Sequence, residues 1–201
     1  MRITRDTADL IIAEARKIVE ERGEAGLRVS ELAERCEVAV GLLYHYFADR
    51  EAIISEVRRS QFISRVRADI EGLKAMSVSG NNAEIFRTII DEFANPRNPE
   101  RIRYRLSRME VLTHAARNPE LLRELQEIET ELVAEIVATV RNAKSTGLVD
   151  DDVDELSLAF FLEIIPIGTA LGLVYGDNLP DPDKWREFIT RVMLSLRPPQ
   201  N

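Results

Sequence analysis

The side chains able to do chemistry in this chain are few, and most stand alone. Cys36 is the single cysteine, so no internal disulfide forms, and neither His45 nor His114 sits in a metal-ligating pattern such as CxxC or HExxH. No nucleophile–base pair and no Gly-rich phosphate loop is legible, so no catalytic residue, metal or cofactor is expected and the chain does not read as an enzyme. What remains is binding chemistry at two places. One is the stretch CEVAVGLLYHYFADREA (36–52), where a Tyr-His-Tyr-Phe run follows residues without charge or hydroxyl and precedes Arg50. A cation at a helix start opposes the helix dipole, so Arg50 invites an external anion. The other is Glu163, the single charge in LSLAFFLEIIPIGTALGLVYG (156–176). A carboxylate there must be paired, protonated or exposed to a cavity, because desolvation makes a lone charge strongly unfavourable.

Helices must position these groups. The chain has 201 residues, 45% hydrophobic and 31% charged, enough for one sizeable core or two small ones. Ala8, Ile11, Ile12, Ala15, Ile18 and Val19 recur at three and four residues, which predicts a first helix over 5–22, stopped at Gly23. Val29, Leu32, Ala33 and Cys36 predict a second helix; after a break near Glu37 and Val38, Leu43, Tyr44 and Phe47 restart the period, making a helix-turn-helix. Asp49 reads as the cap of a long linking helix from about 50 to 76, with MSVSGNN (76–82) as a linker. Asn98-Pro99, Asn118-Pro119 and Asp181-Pro182 mark three further helix starts, and Gly147 closes the second of them. No segment alternates with period two, so the chain is expected to be all-α.

Net charge is −8 at neutral pH, so bulk charge disfavours nucleic acid and anionic membrane, and any DNA binding must rest on local groups. The start MRITRDTADL has no apolar signal region, and a cytoplasmic location is expected. The 156–176 stretch approaches membrane-spanning length, but both flanks are acidic and Glu163 and Pro166 sit within it, so no membrane span is expected. A helix apolar all round is otherwise buried.

LRVSELAERCEVAVGLLYHYFADREAII resembles the DNA-binding signature of tetracycline-repressor-like (TetR family) transcriptional regulators. Gly23, Val29, Leu32, Ala33, Val38, Gly41, Leu43, Tyr44, His45, Tyr46, Phe47, Glu51 and Ala52 match it directly. The resemblance implies an N-terminal three-helix helix-turn-helix DNA-binding domain, residues 1–50, followed by a helical effector-binding and dimerisation domain, residues 51–201. It implies that the second motif helix enters the major groove while Tyr44, His45, Tyr46 and Arg50 hold phosphates. Arg28 and Ser30 occupy further positions that face DNA in the family. Ala39, Val40, Gly41 and Leu42 complete the expected contact set, but three of them are apolar where relatives carry hydroxyl or charged groups. Methyl groups pack on thymine C5-methyls and reject cytosine only weakly, which predicts an A·T-tolerant or shape-assisted site. Two departures cost stability: Arg28 stands where a Ser or Thr cap is usual, about 1 kcal/mol, and Glu37 stands where a turn Gly is usual, about 1 kcal/mol if its backbone is left-handed.

In the C-terminal half, Phe86, Tyr104, Met109, Glu110, Thr113, Phe160, Glu163 and Ile164 are the candidate lining of a largely apolar small-molecule pocket. Glu163 is expected to face the effector cavity and anchor the ligand rather than salt-bridge across the dimer. Arg101, Arg105 and Arg108 share a helix face, expected to be solvated or paired with acids. The resemblance implies that 156–176 and the final helix build a homodimer through Gly168, Gly172, Trp185, Phe188 and Val192. The implied function is a ligand-responsive repressor released from a double-stranded DNA operator by an effector. A helical small-molecule-binding or scaffold protein of the same fold, with weak or lost operator binding, stays open because the recognition helix is apolar.

Overall fold

Apolar residues spaced three and four apart become helices along the chain, and no strand occurs among the described residues. The computed structural model describes the backbone of residues 2–79, 82–94 and 98–199, and the side chains of 7–75, 84, 86–91 and 98–199. It divides into two compact units, Met1–Arg65 and Val66–Asn201.

The first unit contains α1 (Arg2–Arg22), a 3₁₀ turn (Glu24–Gly26), α2 (Val29–Arg35), α3 (Val40–Tyr46) and the beginning of α4 (Arg50–Ser79). Gly23 ends α1 at φ 71°, a conformation that costs a residue with a side chain more. Ile11, Ala15 and Ile18 of α1 pack with Leu32, Ala33, Leu43, Ile53, Ile54 and Val57 in one closed core. Each large aliphatic buried this completely contributes about 1.5–3 kcal/mol. Asp49 caps α4 by accepting from the Ala52 N–H at 2.8 Å. α4 starts where the domain boundary was expected, yet the division between the units falls inside it, after Arg65. The helix also outruns its expected end at Met76, reaching Ser79; Gly80 and Asn81 of the expected linker lie outside the described residues.

The second unit continues with α5 (Asn82–Ala94), α6 (Pro99–Ala115), α7 (Pro119–Ser145), α8 (Glu155–Gly168), α9 (Gly172–Tyr175) and α10 (Pro182–Leu194). Asn98, Asn118 and Asp181 each accept two backbone N–H bonds at 3.0–3.2 Å, which sets the starts of α6, α7 and α10. α7 buries Leu121, Leu125, Ile128, Leu132, Ile136 and Val140. Ile189 and Met193 of α10 pack with Ile90 of α5, joined by Phe161 and Ile165 of α8.

Two expectations change here. Residues 156–176 are not one α-helix: Pro166 removes a backbone donor and crowds the preceding turn, and the chain tightens to 3₁₀ over Thr169–Leu171 before α9. Nor is this segment buried. Glu155–Asn178 is long and apolar enough to cross a membrane by length and composition alone, and only 17% of its most apolar window is buried. On α6, Arg105 is only 2% exposed and Arg108 is paired with Glu129 and Glu163, the acid-paired alternative for that face.

Candidate nucleic-acid interface

α2 begins at Arg28, whose backbone is extended (φ −112°, ψ 126°) and whose side chain makes no cap bond, so the usual Ser/Thr contribution is missing. The helix lies against α1 through charge as well as carbon. Arg22 bonds Glu31, and Arg35 reaches Glu21 at 3.1 Å and Glu31 at 3.2 Å. The hydrogen bond from Arg22 holds the Glu31 carboxyl below its ordinary range.

The turn to α3 is a Schellman closure: Val38 N–H donates to Ala33 O at 2.9 Å and Glu37 N–H to Glu34 O at 3.0 Å. Glu37 sits at φ 56°, the one positive φ among the described non-glycine residues, so a side chain occupies a position that favours Gly. Ala39 then leads into α3, again without a side-chain cap.

α3 is locked by Leu43, fully buried, and by Phe47 just beyond its end. With that face inward, Ala39, Val40, Gly41, Leu42, Tyr44 and His45 all face solvent, and Arg28 and Ser30 are exposed at the start of α2. Tyr44 is 49% exposed although its ring is largely apolar. Val40, Gly41 and Tyr44, at i, i+1 and i+4, share one surface of the helix. A Cβ added at Gly41 would meet nothing within 4 Å, so no internal packing requires that glycine. The exposed surface carries hydroxyl, imidazole and methyl groups, and its one full positive charge is Arg28.

Two expected contacts are placed differently. Tyr46 is half-buried against the core, its ring between His45 (5.4 Å, edge-on) and Phe47 (6.4 Å). Arg50 turns inward: Nε donates to Leu27 O at 3.0 Å, Nη2 to Glu24 O, and Nη1 to Glu51 at 2.6 Å. The anion that offsets its unfavourable place at the helix start is therefore Glu51, supplemented by backbone carbonyls, instead of an external phosphate. Sequence reasoning missed Glu24 and Arg58, which form a two-point pair (2.7 and 2.6 Å) across 34 residues. No spacing rule links positions so far apart. Charge is divided unevenly: residues 1–65 hold 11 Lys and Arg against 12 Asp and Glu, whereas residues 66–201 hold 16 against 23. The acidity that argues against DNA thus lies mostly outside the motif.

The expected effector residues do not line one cavity. Met109, Glu110 and Thr113 share the exposed face of α6, and the Thr113 hydroxyl donates to Met109 O at 2.8 Å. Phe160 and Ile164 are exposed on α8, while Phe86 and Tyr104 are half-buried. Glu163 is ion-paired to Arg108 of the same chain, which also holds Glu129 at 2.7 Å. Burial pushes the Glu129 carboxyl upward despite Arg108. A shallow cleft elsewhere, lined by Val137, Arg141, Lys144 and residues 151–156, contains none of the expected set. Of the expected dimer residues, Trp185 stacks on Phe188 (5.7 Å, 24°), which is itself 56% exposed. Gly168 is exposed, and Gly172 and Val192 are half-buried.

A three-helix unit that presents the second helix of a helix-turn-helix to solvent, followed in the chain by a larger helical unit, is the architecture of a helix-turn-helix protein. Comparison with known proteins is more specific. Residues 11–57 match the sequence pattern of "Bacterial regulatory proteins, tetR family". An HTH-type transcriptional repressor of Mycobacterium tuberculosis, Rv1474c, is 23% identical over 187 residues, 93% of this chain and 91% of the relative. A TetR-family regulator from Mesorhizobium loti superposes with a TM-score of 0.59 at 19% identity, over 98% of this chain and 96% of that one. A transcriptional regulator from Saccharomonospora viridis, solved in complex with choline, has a TM-score of 0.55 at 16% identity over 93% and 95%. Residues 11–57 thus carry the tetR-family DNA-binding pattern, and over most of its length the chain is similar to bacterial transcriptional regulators.

Proposed function

We propose that this protein is a cytoplasmic homodimeric repressor that leaves its DNA operator when a small molecule binds residues 66–201. The observation that carries the reading is the solvent-facing set on α3, from Ala39 to His45, held out by the burial of Leu43 and Phe47. On this reading Arg28, Ser30, Tyr44 and His45 contact the DNA backbone, and Val40 and Leu42 pack against thymine methyls. Two α3 helices on a dimer read half-sites one helical turn apart or a multiple of it.

The dimer is supported by the exposed apolar residues of α8 to α10, among them Phe160 (63% exposed) and Val174 (80%). A second copy is a better cover for them than a bilayer: Asp150, Asp151 and Asp152 precede the segment, Asp177, Asp181 and Asp183 follow, and Glu163 is tied to Arg108 of α6. An effector entering among α5, α6 and α8 would meet Phe86, Tyr104 and Glu163. Its binding would change the separation of the two recognition helices. The choline complex of the S. viridis neighbour supports a small-molecule site in this architecture.

Selection of duplexes from a random-sequence library by the full-length protein tests the reading. The expected product is a pair of inverted half-sites rich in A·T steps. The apolar surface of α3 favours one rival, a protein of this fold that has lost operator binding, and failure to enrich any duplex would select it.

A further inference from the structure

We propose that Arg50 and Arg58 are positioning residues for DNA binding: from α4 they grip the turn between α1 and α2 and so fix the start of α2. This rests on the DNA-binding reading of α2 and α3. The turn is tight. Gly23 is left-handed, and a Cβ at Gly26 would stand 2.6 Å from the Arg22 Cβ. Arg50 donates to the carbonyls of both Glu24 and Leu27, while Arg58 holds the Glu24 carboxylate with two nitrogens. A planar guanidinium can address two acceptors at once, which a lysine ammonium on the same stem does less well.

The consequence lies one residue downstream. Leu27 is 2% exposed and immediately precedes Arg28, the start of α2, which has no side-chain cap. The hold on the Leu27 carbonyl supplies no acceptor to the first N–H groups of α2, as a cap would, but it fixes the chain where α2 begins, next to the exposed Arg28 and Ser30. α2 in turn packs on α3 through the core that contains Leu32, Ala33 and Leu43. Binding groups need support of this kind, because small displacements of a contact set cost affinity. Arg50 and Arg58 contribute to DNA binding through the turn and not by touching phosphate.

Amide hydrogen exchange and DNA titrations on the full-length protein test this, using the best duplex that the parent selects from a random library. Arg50→Gln and Arg58→Gln should speed exchange of the amides from Gly26 to Leu32 while leaving α7 unchanged. Each should lower affinity about ten-fold, as expected for losing hydrogen bonds to a charged group, with the salt dependence unaltered. Arg50→Lys should fail to restore affinity, whereas Arg58→Glu combined with Glu24→Arg should recover most of it. Unchanged exchange in both Gln variants overturns the proposal. So does a salt slope shallower by about one unit in Arg50→Gln with rescue by Lys, the signature of a phosphate contact. If no duplex is selected, the DNA-binding reading fails, and the exchange result alone decides whether the two arginines hold the turn.

Discussion

In residues 1–65 the buried side chains are aliphatic and aromatic, with Ile11, Leu32, Leu43 and Ile53 wholly enclosed, and the charges pair at the surface. In residues 66–201 Arg105 and Arg108 are inside with Glu129 and Glu163 largely shielded beside them, while Phe160, Leu171, Val174 and Tyr175 are outside. The first unit closes its apolar core within one chain, and its exposed surface includes the α3 residues proposed to read DNA. The second has apolar area still uncovered and ionic groups already desolvated. On the proposed reading a second copy covers that area, so recognition and assembly fall to different units.

The sharpest way to break the comparison is to make the outer surface of the second unit polar. Phe160→Asp and Phe188→Asp should each convert a dimer into a monomer, because a carboxylate at the core of an interface loses its hydration. A loss of about 4 kcal/mol, or a thousand-fold in Kd, is the expected scale. Sedimentation equilibrium at micromolar concentration measures it, and thermal melts of the monomeric variants should show the first unit unaffected. A parent protein that is already monomeric would mean that the exposed segment needs no second copy. Flotation of the parent with lipid vesicles would point to a bilayer as the cover.

Removing Arg108 probes the inside of the same unit. Arg108→Ala leaves the Glu129 and Glu163 carboxylates shielded from water without their shared partner, at a cost of about 3 kcal/mol or more. That corresponds to a fall in Tm of roughly 6–12 °C for a chain of this size. Replacing Arg108 by Met together with Glu129 and Glu163 by Leu should recover most of the loss, since an apolar triad of similar volume carries no desolvation penalty. If Arg108→Ala melts like the parent, the triad is solvated and the contrast with the first unit is weaker than drawn here.

The two units also differ in how far the sequence reveals them. The first has local signals: Gly23 and Asp49 punctuate helices, and Leu43 and Phe47 restart a period that the core then uses. Its unread parts are the Glu24–Arg58 pair, 34 residues apart, and Arg50, whose acceptors include backbone carbonyls that every residue possesses and no pattern marks. In the second unit, periodicity places Arg105 and Arg108 on one face of α6 but cannot say which way that face turns. The acids that settle it lie 21 and 55 residues further along, on other helices. Met109, Glu110 and Thr113 are on another, exposed face of the same helix. Pro166 was visible in the sequence, yet the length of the apolar run concealed its effect on α8.

A smaller effect is expected in the turn of the recognition motif. Glu37→Gly relieves the left-handed strain at φ 56° and should stabilise the first unit by about 1 kcal/mol, partly offset by the greater freedom of glycine in the unfolded chain. Denaturant titration should show a raised midpoint with unchanged slope. No gain would mean that the Glu37 side chain compensates its backbone locally.

The smallest effect tests the comparison through pH. Glu31 of the first unit is held below the ordinary carboxylate range by the Arg22 hydrogen bond, whereas burial pushes Glu129 of the second unit above it. A depressed folded pKa gives stability that is present above the unfolded pKa and lost as pH falls through the folded one. A raised pKa gives stability that is present below the unfolded pKa and lost as pH rises through the folded one. As pH rises from about 2 to 7, across the ordinary glutamate pKa of about 4.3, Glu31→Gln should therefore lose Tm relative to the parent, with the loss falling below that pKa. Glu129→Gln should gain Tm over the same range. Parallel thermal melts of the two variants and the parent read both signs at once. If Glu129→Gln also falls behind with rising pH, the attraction of Arg108 outweighs burial, and the interior of the second unit behaves electrostatically like the surface of the first.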